Sequence, residues 1–312
     1  MNYSREFRSV LSAPAHKARY HRTGLSCGAT MYVVDLEDSV PEEHKDEARV
    51  ALGRILAAPA TGGTLRGVRI NPITTAAGLA DLLALRGYDA EPDAVFLPKV
   101  ESSRDVQIAE QVLGDECAGS AFVAMVETPV GLENSAAIAG ASPRVRALVF
   151  GAADYCSVTG IRLSWETLAP ARAHLINSAG AAQVRAIDAP TFDLADSAAL
   201  KREARWARDL GFSGKWALHP EQVPVINEEF TPSRDVLETA RRIVAQGEAA
   251  GSGISVVDGQ MVGPPFYRAF QRIIQESAPA GTSTASDRGA ELPVQPESID
   301  GGNTRPGNGT AR

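Results

Sequence analysis

Several short clusters in this sequence gather side chains that could do chemistry together. These are Asp35-Leu36-Glu37-Asp38, Arg69-Ile70-Asn71, Lys99-Val100-Glu101, Glu127-Thr128-Pro129, Gly151-Ala152-Ala153-Asp154 and His219-Pro220. Each follows a short apolar run, so each sits where a strand would end. Carboxylates with no histidine cluster suit a hard cation such as Mg²⁺, with Mn²⁺ as its substitute, better than zinc. Mg²⁺ usually takes one or two carboxylates and fills its remaining positions with water and substrate oxygens. Arg69 adds a forked donor for a carboxylate or carbonyl oxygen. Glu127 and Asp154, at the ends of neighbouring runs, read as the metal pair.

Ordinary structural roles compete for the other residues. A lone acid at a strand end is commonly a helix cap or a surface ion pair, and Asp38 and Glu101 both precede helical patterns. Lys99 is placed to pair with an acid across the same bowl. His219, before Pro220, reads as a packed or hydrogen-bonded loop residue. Of Cys27, Cys117 and Cys156, only Cys156 lies near these clusters, and their spacing fits no metal site.

The elements that must position these groups alternate along the chain. Strand-like runs cover Arg8–Ala13, Met31–Glu37, Leu65–Ile70, Ala94–Val100, Ala121–Glu127, Val145–Phe150, Val184–Asp188 and Lys215–Leu218. Helical patterns separate them, at His16–Cys27, Pro41–Leu56, Ala76–Leu85, Ser103–Leu113, Leu132–Ala139, Trp165–Ala182 and Ala198–Leu210. The runs are apolar and β-branched without strict alternation, as strands covered on both faces should be. Eight such alternations predict an α/β fold, a (β/α)₈ TIM barrel, whose active sites lie at the C-terminal ends of the strands. A doubly wound open sheet is the alternative. No Gly-x-Gly-x-x-Gly fingerprint follows the first run to support its dinucleotide-binding version. The expected division is a barrel over 1–228, a C-terminal helical extension or lid over 229–276, and a tail over 277–312. The tail is rich in Gly, Pro, Ser and Thr and reads as disordered.

With a net charge of −7, no broad basic field points to nucleic acid or an anionic membrane, and a local cationic pocket for an anionic substrate stays open. No apolar run approaches the roughly 20 residues of a membrane span. Met1 to Arg8 is polar and has no signal-peptide core. A cytoplasmic protein with reduced cysteines is expected.

Together the motifs resemble the citrate lyase β-subunit-like branch of the HpcH/HpaI aldolase superfamily, relatives of malyl- and citramalyl-CoA lyases. The blocks that carry the resemblance are Val33–Pro41, Val68–Pro72, Leu97–Ser102, Glu127–Gly131, Phe150–Tyr155 and Gly214–Pro220, in the family's order and over about residues 8–275. The resemblance implies a Mg²⁺-dependent carbon–carbon lyase or aldolase, a homo-oligomer such as a trimer or hexamer. Its substrate would be a small-molecule acid or an acyl-CoA thioester. By motif, Glu127 and Asp154 would bind the metal. Arg69 would be catalytic, with Glu37 and Asp38 supporting the arginine or the metal's water shell. Arg69, Lys99, Pro129 and Gly131 would bind substrate.

Two departures from the family pattern bear on the activity. The family's C-terminal Met-(Val/Ile)-Asp-x-Pro segment carries a catalytic Asp that reaches a neighbouring subunit's site. Here it reads Met261-Val262-Gly263-Pro264-Pro265, so Gly263 has no side chain to move a proton, and Asp258 is the nearest acid. The aromatic residue and Pro-Gly usual at strand one are replaced by Leu11-Ser12-Ala13-Pro14-Ala15-His16-Lys17, which alters the expected CoA entrance. Lys17 and Arg19 there read as solvated helix charges. Three readings follow: a lyase acting on a β-hydroxy acid or its thioester through an enolate, a CoA-independent aldolase on free 2-oxo acids, and a non-catalytic ligand-binding homologue.

Overall fold

The computed structural model describes residues 7–58, 63–249, 253–257 and 259–277. Eight parallel strands close into one barrel in sequence order. They are β1 (Ser9–Pro14), β2 (Met31–Asp35), β3 (Leu65–Arg69), β4 (Ala94–Leu97), β5 (Ala121–Val126), β6 (Val145–Phe150), β7 (Arg185–Asp188) and β8 (Gly214–Ala217). β8 pairs back with β1 through Val10 and Trp216, so the open-sheet alternative is excluded. The helices of the barrel are α1 (Ala18–Ser26), α2 (Lys45–Ala57), α3 (Ala76–Arg86), α4 (Ser103–Leu113), α5 (Pro129–Glu133), α6 (Ser135–Ala139), α7 (Ala152–Thr159), α8 (Trp165–Ala181), α9 (Ser197–Leu210) and α10 (Gln222–Glu229). Among the described residues no helix is long and apolar enough to cross a membrane.

Side-chain alternation sorts the strand residues into two cores. Met31 and Val33 of β2, and Ala121, Val123 and Met125 of β5, join Phe96, Ile187 and Trp216 in the barrel lumen. Tyr32, Val34, Phe122 and Ala124 point outward into the layer beneath the helices. Gly67 clears space in the lumen, because a Cβ there would come within 2.8 Å of the Phe96 ring. Phe96 then meets Trp216 edge to face, with centroids 5.4 Å apart. The filled lumen closes the barrel from below, and the next inward position on each strand belongs to the bowl above it.

The helix-facing layer also holds charges. Lys215 and Asp188 are fully buried and pair at 2.7 Å, and Lys215 Nζ also donates to the carbonyl of Ala189. Arg172 of α8 donates from Nε to the same Asp188 at 2.6 Å, while its guanidinium lies over the rings of Phe150 and Trp165. One carboxylate thus serves two buried cations, with aromatic faces taking up part of the second charge.

Three segments differ from the sequence reading. The stretch read as one helix over Leu132–Ala139 is two short helices, α5 and α6. Asp154 stands in the first turn of α7, a helix not anticipated, rather than at the end of a strand. After α10, α11 (Arg234–Ala249) packs against α12 (Pro264–Ser277), and between them β9 (Ser255–Val257) and β10 (Gln260–Val262) form an antiparallel hairpin. Ile243, Val257, Val262 and Tyr267 make a small separate core. Gly247 admits the Tyr267 ring, which a Cβ would strike. Asp258 and, apart from Ser277, the expected tail 277–312 lie outside the described residues.

Removing Asp188 would strand two buried cations. Asp188→Ala should cost about 3–5 kcal/mol in denaturant unfolding; a loss below about 1 kcal/mol would contradict this role.

Candidate active site

Continuing the inward alternation of β2 past Val33 brings Asp35, then Glu37, to the bowl. Both carboxylates are buried. On β3 the inward position above Gly67 is Arg69, which stands beside Asp35 in the strand register. Arg69 Nε donates to Asp35 Oδ1 at 2.7 Å and Nη2 donates to Oδ2 at 2.6 Å. Its third nitrogen, Nη1, lies 3.0 Å from Glu37 Oε2. Ser39 Oγ and the Glu37 N–H also donate to Asp35. Burial alone would raise the Asp35 pKa, but the guanidinium and these donors outweigh it and hold the carboxyl below its ordinary range. Burial would likewise lower Arg69, but Asp35, Glu37 and Glu127 together lift it above its usual value. Glu37 stays net raised, because burial exceeds what Arg69 and Lys99 return.

The loop after β2 is braced from below. Lys45 of α2 is buried and donates to the carbonyls of Leu36 and Glu37 and to Asn71 Oδ1, at 2.7, 2.9 and 2.6 Å. Asn71 passes the restraint on, since its main-chain and side-chain N–H groups donate to Asp81 of α3, which Arg49 holds at 2.7 Å. Three helix-borne side chains thus fix the backbone that presents Glu37.

Glu127 ends the inward series Ala121, Val123, Met125 of β5 and is 2% exposed. Its Oε1 accepts the Lys99 N–H at 2.7 Å. Burial, then the negative charges of Glu37 and Asp154, push its pKa up to about 8. Gly151, on the neighbouring strand end, is what lets this carboxylate lie where it does, because a Cβ at 151 would collide with the Glu127 side chain. Beyond Glu127, Thr128 caps α5 by accepting the Gly131 N–H at 3.0 Å, Pro129 occupies the first helical turn, and Gly131 packs against the Val100 carbonyl where a Cβ would collide. Pro129 and Gly131 therefore form a fixed wall next to Glu127.

Lys99 spans the bowl from β4. Its ammonium donates to Glu37 Oε1 at 2.9 Å and lies 3.5 Å from Asp38 Oδ1. Asp38 is largely exposed and its carboxylate faces Lys99 rather than Arg69. Asp154 is half-buried and near enough to act electrostatically on both Glu127 and Lys99.

Other sequence candidates lie apart from this cluster. His219 is half-exposed and its Nδ1 accepts the Glu221 N–H at 3.3 Å, the expected loop role. Glu101 precedes the Ser102–Asp105 capping box of α4. Burial pushes the Cys156 thiol up, so nothing there makes a thiolate. Lys17 is exposed, and Arg19 pairs with the Tyr20 hydroxyl at 2.7 Å. Sequence reasoning gave no role to Asp35, Lys45 or Asp81. The inward alternation of β2 was a usable signal for Asp35. Lys45 and Asp81 lie on helices whose contacts only the fold reveals.

Among the described residues no group of three or more His, Cys, Asp or Glu side chains is arranged as a metal cage. Two carboxylates, one of them with a pKa raised first by burial and then by its acidic neighbours, fit instead an open oxygen site that a divalent cation would relieve.

A closed parallel barrel with acids and an arginine converging at the C-terminal strand ends defines the class of protein: a TIM-barrel of the kind that carries its chemistry on those ends. Residues 8–220 match the HpcH/HpaI aldolase/citrate lyase family, and the chain belongs to it. It is 34% identical over 261 residues to a (3S)-malyl-CoA thioesterase of Cereibacter sphaeroides, covering 82% of this chain and 89% of that one. It is 29% identical over 286 residues to the mitochondrial citramalyl-CoA lyase of Rattus norvegicus, covering 86% and 85%. Its fold superimposes on protein CitE of Mycobacterium tuberculosis, solved with magnesium, acetoacetate and coenzyme A, with a TM-score of 0.73, 29% identity, and coverage of 88% and 99%.

Two results should follow from this geometry. Gly151→Ala should weaken Mg²⁺ binding by about 10–100-fold in calorimetry, as displaced support around a metal ligand does; unchanged affinity would refute the cradle. Because the folded pKa of Asp35 is depressed, its pairing contributes stability above the ordinary carboxylate pKa of about 4 and loses it as pH falls through the folded value. Asp35→Asn should therefore flatten the acid limb of the stability curve below about pH 4, read by urea unfolding. An unaltered limb would contradict the assignment.

Proposed function

We propose that this chain is a Mg²⁺-dependent carbon–carbon lyase or aldolase that cleaves or forms a β-hydroxy acid or β-hydroxyacyl-CoA thioester through an enolate. The observation that carries the reading is Glu127, a buried carboxylate crowded by Asp154 and Glu37 and facing an arginine already locked in place. Glu127 and Asp154 would hold the cation. When bound there, Mg²⁺ supplies fixed positive charge that polarises a carbonyl oxygen, and Mn²⁺ would do the same.

The chain's own residues do the rest. Asp35 takes the donors of Arg69 Nε and one of Nη2, and Glu37 stands 3.0 Å from Nη1 as an ion pair, so the guanidinium keeps N–H donors that Asp35 does not use. Those donors suit the carboxylate and carbonyl oxygens of a 2-oxo acid, where negative charge gathers as the C–C bond changes. Lys99 adds a second positive charge at the rim. Pro129 and Gly131 wall the side next to Glu127. In the cleavage direction the β-hydroxyl loses its proton and becomes a carbonyl, the C–C bond breaks, and the electron pair passes into the enolate, which then takes a proton at carbon.

Thioester hydrolysis is the second reading, favoured by the likeness to a (3S)-malyl-CoA thioesterase. The products separate the two. Malyl-CoA would give acetyl-CoA and glyoxylate by C–C cleavage, but malate and free CoA by hydrolysis. Gly263 bears on both, since it contributes no acid at its position. Among the described residues nothing in the packing requires glycine there, because a Cβ would only touch Ile254 at 3.6 Å.

Glu127→Ala, or excess chelator, should lower turnover of such a substrate by at least about a hundredfold, with products followed by mass spectrometry. Full activity in either case would overturn the metal assignment.

A further inference from the structure

Lys99 has a backbone that its residue type does not favour. Its φ is +51°, in the left-handed region. A lysine adopts this conformation only where its surroundings hold it there. What it gains is a pair of contacts that an extended β4 would not offer together. The main-chain N–H turns into the bowl and donates to Glu127 Oε1 at 2.7 Å, while the side chain runs back across the strand ends to Glu37 Oε1 at 2.9 Å. The far oxygen of that same Glu37 lies 3.0 Å from Arg69 Nη1. One residue therefore touches the carboxylate assigned to the metal and the carboxylate that backs the substrate arginine.

We infer that Lys99 is the positioning residue of the site: its main chain sets Glu127 for the cation, and its ammonium sets Glu37 and, through it, Arg69 for the substrate anion. This rests on the metal reading of Glu127 and Asp154, and it adds a division of labour that reading does not contain.

The two contacts have different chemistry, which makes them separable. The N–H donor survives any substitution except proline. The ammonium is lost in any neutral variant. Without it Glu37 keeps only Arg69 as a cationic partner while remaining buried beside Glu127, so it is freed to swing and lets Nη1 of Arg69 go with it. Asp35 would still hold Nε and Nη2, so the arginine would stay but its outer edge would no longer be fixed. The cation site should respond in the opposite direction. Asp154 is one of the acids acting on the Lys99 charge, so deleting that charge removes a repulsion on a bound cation.

Glycine is the informative replacement, because it accepts a left-handed φ without strain and keeps the N–H. Calorimetry on the full chain would first titrate Mg²⁺ alone, then pyruvate at saturating Mg²⁺. Lys99→Gly should bind Mg²⁺ within about threefold of the unaltered protein or more tightly, and bind pyruvate at least tenfold more weakly. Lys99→Arg should restore pyruvate affinity to within about threefold, since it returns a cation to Glu37. Glu37→Gln should weaken pyruvate similarly, and the double variant Glu37→Gln/Lys99→Gly should be no worse than either single one, the mark of two residues acting through one contact. Undiminished pyruvate binding in Lys99→Gly, additive losses in the double variant, or parallel loss of Mg²⁺ and pyruvate affinity in both Lys99 variants would each overturn the inference while leaving the metal reading standing. No Mg²⁺ binding by the unaltered protein would overturn the metal reading and this inference with it.

Discussion

The forked pair of Arg69 and Asp35 is the interaction on which the rest of the bowl depends. It joins the ends of β2 and β3 at facing positions of the register, directly above the filled lumen. Burying both charges is costly, and the cost is met only because the fork is bidentate and the remaining lone pairs of Asp35 take Ser39 and the Glu37 N–H. Once the guanidinium is fixed, Glu37 has a place to point and Lys99 has an acid to reach. The arrangement is therefore a chain of ion pairs that starts at one rigid pair and ends at the rim.

The other side of the bowl is built on the opposite principle. Glu127 has one N–H donor and acidic neighbours, and burial lifts its pKa to about 8. Its charge is left incompletely compensated where Asp35's is fully compensated. The fold tolerates this because Gly151 and the β4 end hold the carboxylate in place, with one donated hydrogen bond, from the Lys99 N–H, among the described residues. Such a deficit beside a locked arginine is what supports the proposed site for a divalent cation and an anionic substrate.

Much of this was legible in the sequence. Apolar runs at regular intervals gave the barrel, and the barrel rule gave the face on which Glu37, Arg69, Lys99, Glu127 and Asp154 gather. Asp154 was placed correctly on that face but on the wrong element, because Gly151-Ala152-Ala153 reads as an extension of an apolar strand when it is in fact the start of a helix. Of the hairpin of β9 and β10, only the short apolar run Ile254–Val257 reads as a strand in the sequence, since each strand is only three residues long and its turn is set by Gly259. Asp35 lay inside a recognised motif, yet its role needed the knowledge that Arg69 stands opposite. Lys45 and Asp81 carry no local signal at all: a lysine in a helix is ordinarily solvated, and only the packing of α2 against the β2 loop makes it a buried brace.

The most direct test of the central claim, an open two-carboxylate cation site facing an anchored arginine, is water-proton relaxation of the Mn²⁺-loaded protein as pyruvate is added. An octahedral ion on Glu127 and Asp154 should keep about four waters and give up about two of them to the 2-oxo acid. The account predicts that fall in hydration. Mn²⁺ that fails to bind, or binds and keeps all its waters in saturating pyruvate, would contradict it.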